Sequence, residues 1–325
     1  MSNQPGPGLF VISIDVELAW GRVHHGDASK APSVFDRERQ SVAALLDLME
    51  RYEISATWAV VGHLFLERCT PVAGKHHPDV RRAPYPWFSG DWFDGDPATT
   101  VQDDPWWYAP DVVDAIRASS VLQEIGSHSY SHQIVGDPAY DAETFRSELS
   151  ASRQLASGAG VELRSFVYPR NSIAHQEVLT EQGFVAYRGP TPPRFPGRPG
   201  YQRRLLSLAD TVAPMPSTAV QPAMDDELCN VPQTYLFDPE SRVARTLGAR
   251  LWSQVIVRRL EQAARRGSLF HLWFHSHDLS TSPDRAFAAM ERLFIAADQE
   301  REAGRLLNLT MGQVADSMSD TVVEP

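Results

Sequence analysis

Two histidines four residues apart, His128 and His132 in Gly126-Ser-His-Ser-Tyr-Ser-His132, have the type and spacing of metal ligands. If the backbone turns helical after Gly126, residues i and i+4 share a face, and both imidazoles reach one ion. A third ligand is expected in Phe10-Val-Ile-Ser-Ile-Asp-Val-Glu17, an apolar run that ends on two carboxylates. In an extended chain Asp15 and Glu17 point the same way, and acids crowd together most readily around a cation or a shared proton. Two histidines and one carboxylate form a ligand set of hydrolytic zinc sites, with positions left for water and a substrate oxygen. The other acid is then free to be a base. Each piece also has a plain alternative, a packed pair of histidines in one case and a solvated strand end in the other.

Two more segments carry candidates. In Leu269-Phe-His-Leu-Trp-Phe-His275 a period of two puts His271, Trp273 and His275 on one face, with His275 at the C-terminal end. A histidine there can protonate a leaving group, or simply cap a nearby carbonyl. His271 reads as a deeper core residue and His277 as an exposed one. In Phe166-Val-Tyr-Pro-Arg-Asn171, Arg170 is expected to pair with Asp15 or to grip a substrate oxygen, with an ordinary surface-loop arginine as the alternative. Tyr168 and Asn171 are further candidates for substrate contact.

These residues need a scaffold that brings strand ends together. Apolar runs at 10–14, 55–61, 124–127, 164–168, 184–188, 227–231 and 268–274 read as seven strands. Helical periodicity covers 36–52, 111–119, 141–156, 176–182, 242–265 and 282–303. Such alternation is the pattern of an α/β fold, and in a parallel barrel catalysis sits at the C-terminal strand ends. Two irregular stretches interrupt it, at about 70–110 and 190–222, and with no repeat or clear linker a single domain is expected, its core at about 9–309. The first stretch is rich in aromatic residues, among them Trp87, Trp92, Trp106 and Trp107, which could stack on sugar rings or form a buried cluster.

Composition narrows the function. A net charge of -11 with no Lys/Arg-rich stripe argues against nucleic acid or an anionic membrane as partner. Two cysteines, Cys69 and Cys229, are too few for a disulfide framework, and reduced thiols are expected. Residues 1–8 lack a basic leader and no apolar run approaches a membrane span, so a cytoplasmic protein is the default expectation.

Taken in order, Asp15 and Glu17 at a strand end, the His128/His132 pair, the Tyr168-Pro169-Arg170 loop and the strand-end His275 resemble the polysaccharide deacetylase family (carbohydrate esterase family 4, the NodB homology domain), over about residues 9–309. The resemblance implies a distorted, incomplete (β/α)7 TIM-like barrel with long rim insertions, and metal-dependent removal of an acetyl group from a sugar. It implies Asp15 as catalytic base, Glu17, His128 and His132 as metal ligands, His275 as acid, and a backbone N–H near Tyr168 to Arg170 facing the oxyanion. The chain departs from the family pattern in three places. Asp-Val-Glu replaces adjacent acids, so an exchange of roles between Asp15 and Glu17 stays open. Arg170 follows Pro169 rather than preceding a Pro-Tyr pair, which leaves its role open. The fourth motif, with its Asp and Trp, has no match.

Zn²⁺ is the expected cofactor, with Co²⁺, Ni²⁺ or Fe²⁺ compatible with the same ligands. The expected substrate is a small acetylated sugar, nucleotide sugar or sugar-bearing metabolite, with Tyr168, Asn171, Trp87, Trp92 and Trp107 as candidate contacts. A formamide or ureide amidase on the same scaffold and a non-catalytic glycan-binding module are the alternatives. The oligomeric state is left open.

Overall fold

The computed structural model describes residues 6–25, 32–192 and 219–322. Ten strands make one sheet: β1 (Gly8–Val16), β2 (Ala56–Val60), β3 (Gln123–Ser127), β4 (Ser165–Phe166), β5 (Ala186–Gly189), β6 (Ala223–Asp225), β7 (Leu228–Pro232), β8 (Tyr235–Leu236), β9 (Leu269–His275) and β10 (Leu306–Asn308). Their order is β6-β7-β5-β4-β3-β2-β1-β9-β8, with β10 also pairing the start of β1. Every ladder is parallel except β6 with β7. β1 and β2 are buried almost without alternation because helices cover the outer face while the sheet curls over the inner one.

Contacts across the interior report the curl. Arg188 on β5 reaches Ser13 and Asp15 on β1, although β4, β3 and β2 lie between them in the sheet. His271 on β9 likewise spans from Ser13 on β1 to the Val231 carbonyl on β7. No ladder among the described residues joins the β6–β7 end to β8, so the barrel is distorted and incomplete, as expected.

The seven expected strands correspond to β1, β2, β3, β4, β5, β7 and β9. The helices begin where local chemistry allows. Asp141 and Ser241 accept hydrogen bonds from Thr144 and Ala244 at the starts of Ala142–Gly158 and Arg242–Arg266. Pro110 and Pro283 occupy first-turn positions, where a missing N–H costs nothing. Elements absent from the sequence reading include the short β6, β8 and β10, the 3-10 turns Leu18–His25, Gly62–Phe65 and Pro169–Asn171, the single turn Asp278–Thr281 and the helix Met311–Val322.

That last helix carries structure past the expected limit at 309. Met311, Val314 and Ala315 pack with Val11, Ala186 and Val231, one end of the barrel interior. Backbone amides at its start donate to Thr57 Oγ1 and Glu124 Oε2, near the beginnings of β2 and β3. The helix therefore plugs the N-terminal mouth, opposite the strand ends that carry the candidate residues.

Residues 70–109 contain no helix or named strand, yet their aromatics are core. Tyr85, Trp92, Phe93, Trp107 and Tyr108 are buried and continuous with the main apolar cluster. Most of the second expected insertion, residues 193–218, lies outside the described residues.

Candidate active site

Asp15 sits at the C-terminal end of β1, in register with His275 on β9 and Ala59 on β2. Its carboxylate receives two hydrogen bonds from Arg188, Nη1 to Oδ1 at 2.6 Å and Nη2 to Oδ2 at 2.7 Å. The same guanidinium donates to Ser13 Oγ at 3.1 Å and Asn171 Oδ1 at 3.2 Å, and lies 4.5 Å from the centre of the Trp273 ring. Such a fork fixes both the charge and the orientation of the acid. Burial alone would push the Asp15 carboxyl up, but Arg188, with His128 and His275, outweighs it and holds Asp15 below its ordinary value.

Arg188 and Asp278 are the candidate site residues that the sequence reading missed. The signal for Arg188 was present, a cation at the end of the apolar strand Phe184-Val-Ala-Tyr-Arg188, but nothing local says that this strand end faces Asp15. The expected pairing of Arg170 with Asp15 is corrected: Arg170 is exposed, with φ at 54°, and Arg188 occupies that place. Asn171 does reach the site, as an acceptor for Arg188.

Glu17 lies one residue beyond β1, where the chain turns sharply through Leu18 at φ 45°. Gly21 comes back against it so closely that a Cβ there would collide with the Glu17 carboxylate. Glu17 Oε2 is 3.5 Å from His128 Nε2 and 3.0 Å from His132 Nε2. His128 Nδ1 donates to the Val167 carbonyl at 2.8 Å, and since a carbonyl can only accept, Nε2 of the neutral ring turns a lone pair toward Glu17. Burial drives His132 toward its neutral form, which is also the form that ligates.

The histidines converge by a route other than the expected helix. After β3 the chain is a loop with Ser129 and His132 in the left-handed region, at φ 60° and 62°. Its conformation is tied down from several sides. His128 N donates to the Val60 carbonyl, while the Ser129 and Tyr130 carbonyls accept from Gly62 and His63. Buried Glu148 accepts from the Tyr130 and Ser131 amides, from Ser131 Oγ and from Gln133 Nε2. Trp92 Nε1 donates to the Ser131 carbonyl at 2.8 Å.

Glu17, His128 and His132 offer three ligand atoms within 4.8 Å of one another, all from buried residues. Two imidazole nitrogens and a carboxylate, with His128 oriented by the Val167 carbonyl, fit a divalent cation. His275 completes the rim. Its Nε2 is 3.9 Å from Glu17 Oε1, and its Nδ1 lies 3.2 Å from Asp278 Oδ2, which also accepts from the His275 amide. Burial works to lower the His275 pKa, but Glu17, Asp278 and Asp15 more than reverse this and hold it up at about 10.

The remaining candidates are not brought to this cluster. Trp92 is 2% exposed and Trp107 7%, so both are framework rather than sugar platforms, a correction to the expected contacts. Trp107 packs edge-on against Trp20. Trp87 is 47% exposed, with its ring stacked on Tyr85 and its Nε1 bonded to Asp137. The Tyr168 side chain is wholly buried among Phe145, Phe166 and Tyr187, so its expected contact with substrate is also corrected.

The polysaccharide deacetylase family model matches residues 28–187. Over that span the chain is similar to the polysaccharide deacetylase family. The match includes His128 and His132 but begins after Glu17 and ends before Arg188, so the placing of Asp15, Glu17, Arg188 and His275 rests on geometry. Solved structures agree on the fold. A Mycobacterium smegmatis protein described as a polysaccharide deacetylase is 17% identical with a TM-score of 0.60, covering 100% of this chain and 95% of its own. PuuE allantoinase is 13% identical with a TM-score of 0.61, covering 100% and 96%. A Pseudomonas aeruginosa PAO1 protein, also described as a polysaccharide deacetylase, is 14% identical with a TM-score of 0.56, covering 95% and 89%. No curated protein matches the sequence. No helix among the described residues is long and apolar enough to cross a membrane.

Proposed function

We propose that the chain is a metal-dependent hydrolase that removes an N-acetyl group from a sugar. The observation that carries this reading is one buried cluster with separated roles: Glu17 between two histidines, and Asp15 turned instead to Arg188. Glu17, His128 and His132 would hold the cation, Zn²⁺ being the first expectation, which when bound supplies Lewis acidity to polarise an acyl carbonyl and acidify water. Asp15, kept ionised and oriented by Arg188, takes the proton from water through a carboxylate lone pair that the guanidinium leaves free. His275 donates a proton from Nε2 to the departing nitrogen, while Asp278 steadies Nδ1. This separation supports Asp15 as the base and Glu17 as the ligand.

The side chains of Asp15 and Glu17 are 3% and 9% exposed, that of His275 30%. His275 is the most open of the three, so an acyl group would approach the cluster beside it, and a small acetylated sugar or sugar conjugate is the proposed substrate. A second reading, hydrolysis of a ureide or formamide, draws on the allantoinase that shares this fold.

The test is hydrolysis by metal-loaded protein of a panel of N-acetyl monosaccharide conjugates, chitin and peptidoglycan oligomers, formamides and ureides, read as acetate, formate and ring-opened ureide respectively. Turnover of the small acetyl sugars is expected, lost on chelation and lost together with bound metal in His128→Ala. Full activity in metal-free protein would sink the metal-dependent reading. Ureide turnover without acetate release would replace it by the second, and better turnover of oligomers would overturn the small substrate.

A further inference from the structure

A second group of ligand-type side chains lies in the aromatic insertion. His63 stands in the turn Gly62–Phe65 that follows β2, and Cys69, His77 and Asp96 come from three separate points of the irregular stretch. His63 Nε2 is 3.1 Å from His77 Nε2 and 3.2 Å from Asp96 Oδ2. Asp96 Oδ2 is also 2.8 Å from His77 Nε2 and 3.2 Å from Cys69 Sγ. All four ligand atoms lie within 4.8 Å of one another. A tetrahedral zinc ion with bonds of about 2.0 to 2.3 Å needs donor atoms about 3.3 to 3.8 Å apart. The closest separations here, 2.8 to 3.2 Å, fall a few tenths of an ångström short of that range, so the four side chains would spread slightly around a bound ion.

Hydrogen bonding inside the cluster accounts for Cys69 and His77 against Asp96 but not for His63. His63 Nδ1 faces the Trp107 carbonyl at 3.1 Å, which can only accept, so in the neutral ring His63 Nε2 is a bare lone pair. That lone pair points at a carboxylate oxygen and at a second imidazole nitrogen, and the side chains of His63 and Asp96 are wholly buried. The Cys69 thiol proton and one proton on His77 Nε2 can both go to Asp96 Oδ2, which still leaves the His63 lone pair facing that carboxylate oxygen unserved, whereas a cation serves all four.

Each ligand is also held from behind, as ligands of built metal centres are. His77 Nδ1 is 2.9 Å from Tyr130 Oη. Tyr108 Oη lies 3.2 Å from Asp96 Oδ1 and 3.3 Å from Cys69 Sγ, and the Ala98 amide donates to Asp96 Oδ1.

We infer that His63, Cys69, His77 and Asp96 form a second metal centre, a closed tetrahedral zinc site that staples the insertion to the barrel rim. Four protein ligands leave no open position, so the site is structural rather than catalytic. One thiolate, two imidazoles and a carboxylate suit Zn²⁺ better than the oxygen-seeking Mg²⁺ or Ca²⁺. A stretch of this length without regular elements gains a cross-link that ties its parts to β2. The two centres share a loop. Tyr130, which backs His77, lies between His128 and His132, and its carbonyl accepts from the His63 amide.

The test reads sulfur, which Glu17, His128 and His132 lack. Full-length protein loaded with Co²⁺ in place of zinc is expected to show a thiolate-to-cobalt charge-transfer band in the near ultraviolet. Cys69→Ser removes that band and Cys229→Ser keeps it. The double variant His128→Ala/His132→Ala is expected to retain about one zinc per chain against about two in the wild type. Absence of the band from cobalt-loaded wild type would overturn the inference, and this measurement needs no variant to fold. A folded double variant with no zinc would do the same. Failure of the deacetylase reading leaves the sulfur signature untouched, so the two outcomes are separable.

Discussion

Arg188 and Asp15 form a buried pair, and much depends on keeping both members. With Arg188→Met the Asp15 charge loses its partner in a site closed to water, and breaking such a pair costs about 3–5 kcal/mol. A marked fall in melting temperature is expected, with kcat/KM down by at least about 100-fold. The double variant Asp15→Asn/Arg188→Met should recover part of the stability and none of the activity, and calorimetry of the mutant cycle measures the coupling. Stability unchanged in Arg188→Met would contradict the pairing. Glu38, on the helix Pro32–Arg51, is buried and accepts from Ser276 Oγ next to His275. Burial, with the charge of Glu17, pushes its carboxyl up to about 8 from 4.5. The folded chain therefore binds more protons than the unfolded one between those values, so stability is full below 4.5 and falls as pH rises through 8. Glu38→Gln removes this titration. Its melting temperature should approach that of the wild type near pH 4.5 and exceed it above pH 8, by the equivalent of a few kcal/mol. A difference independent of pH would refute the assignment.

At the scale of elements, the loop after β3 is the piece on which the proposed metal ligands depend. It takes left-handed backbone at Ser129 and His132, which non-glycine residues adopt only when their surroundings enforce it. Glu148 on the helix Ala142–Gly158 is the main enforcer, since one carboxylate satisfies two loop amides and two side chains. Glu148→Ala leaves those buried donors unpaired, at about 1–3 kcal/mol each. Metal affinity at His128 and His132 should weaken about 10- to 100-fold, as for loss of an outer partner of a ligand. Metal titration of the variant checks this, and wild-type affinity would show that the loop holds its shape unaided.

Across the whole molecule, the barrel has a catalytic mouth and a plugged one. Arg188, Asp15, Glu17 and His275 gather at the C-terminal strand ends, while Met311, Val314 and Ala315 close the other end. Ending the chain after Leu309 uncovers Val11, Ala186 and Val231, and the loss of three buried apolar side chains amounts to about 3–5 kcal/mol. The shortened protein should unfold at distinctly lower urea concentration, with activity in the surviving folded fraction retained. An unchanged midpoint would mean that the helix adds nothing to the barrel.

Strand positions, the acids at the end of the first strand, the histidine pair and His275 were legible in the sequence. The period of two and the placing of a polar residue at the end of an apolar run are local properties of an extended chain. Local pattern gives the direction of a side chain but not what stands opposite it. Arg188 meets Asp15 across 173 residues of sequence only because the sheet curls. The same limit explains why a four-residue spacing suggested a helix where Glu148 and the neighbouring strands impose a loop. It also explains why Trp92 and Trp107 turned out to be framework, and why His63, Cys69, His77 and Asp96, scattered through an irregular stretch, have no motif to announce them. The sequence by itself determined seven of the ten described strands and which polar groups lie at their ends. Tertiary structure alone decided which of those groups share a cluster, because the curl of the sheet and the packing of the insertion are non-local and join residues that no spacing rule connects.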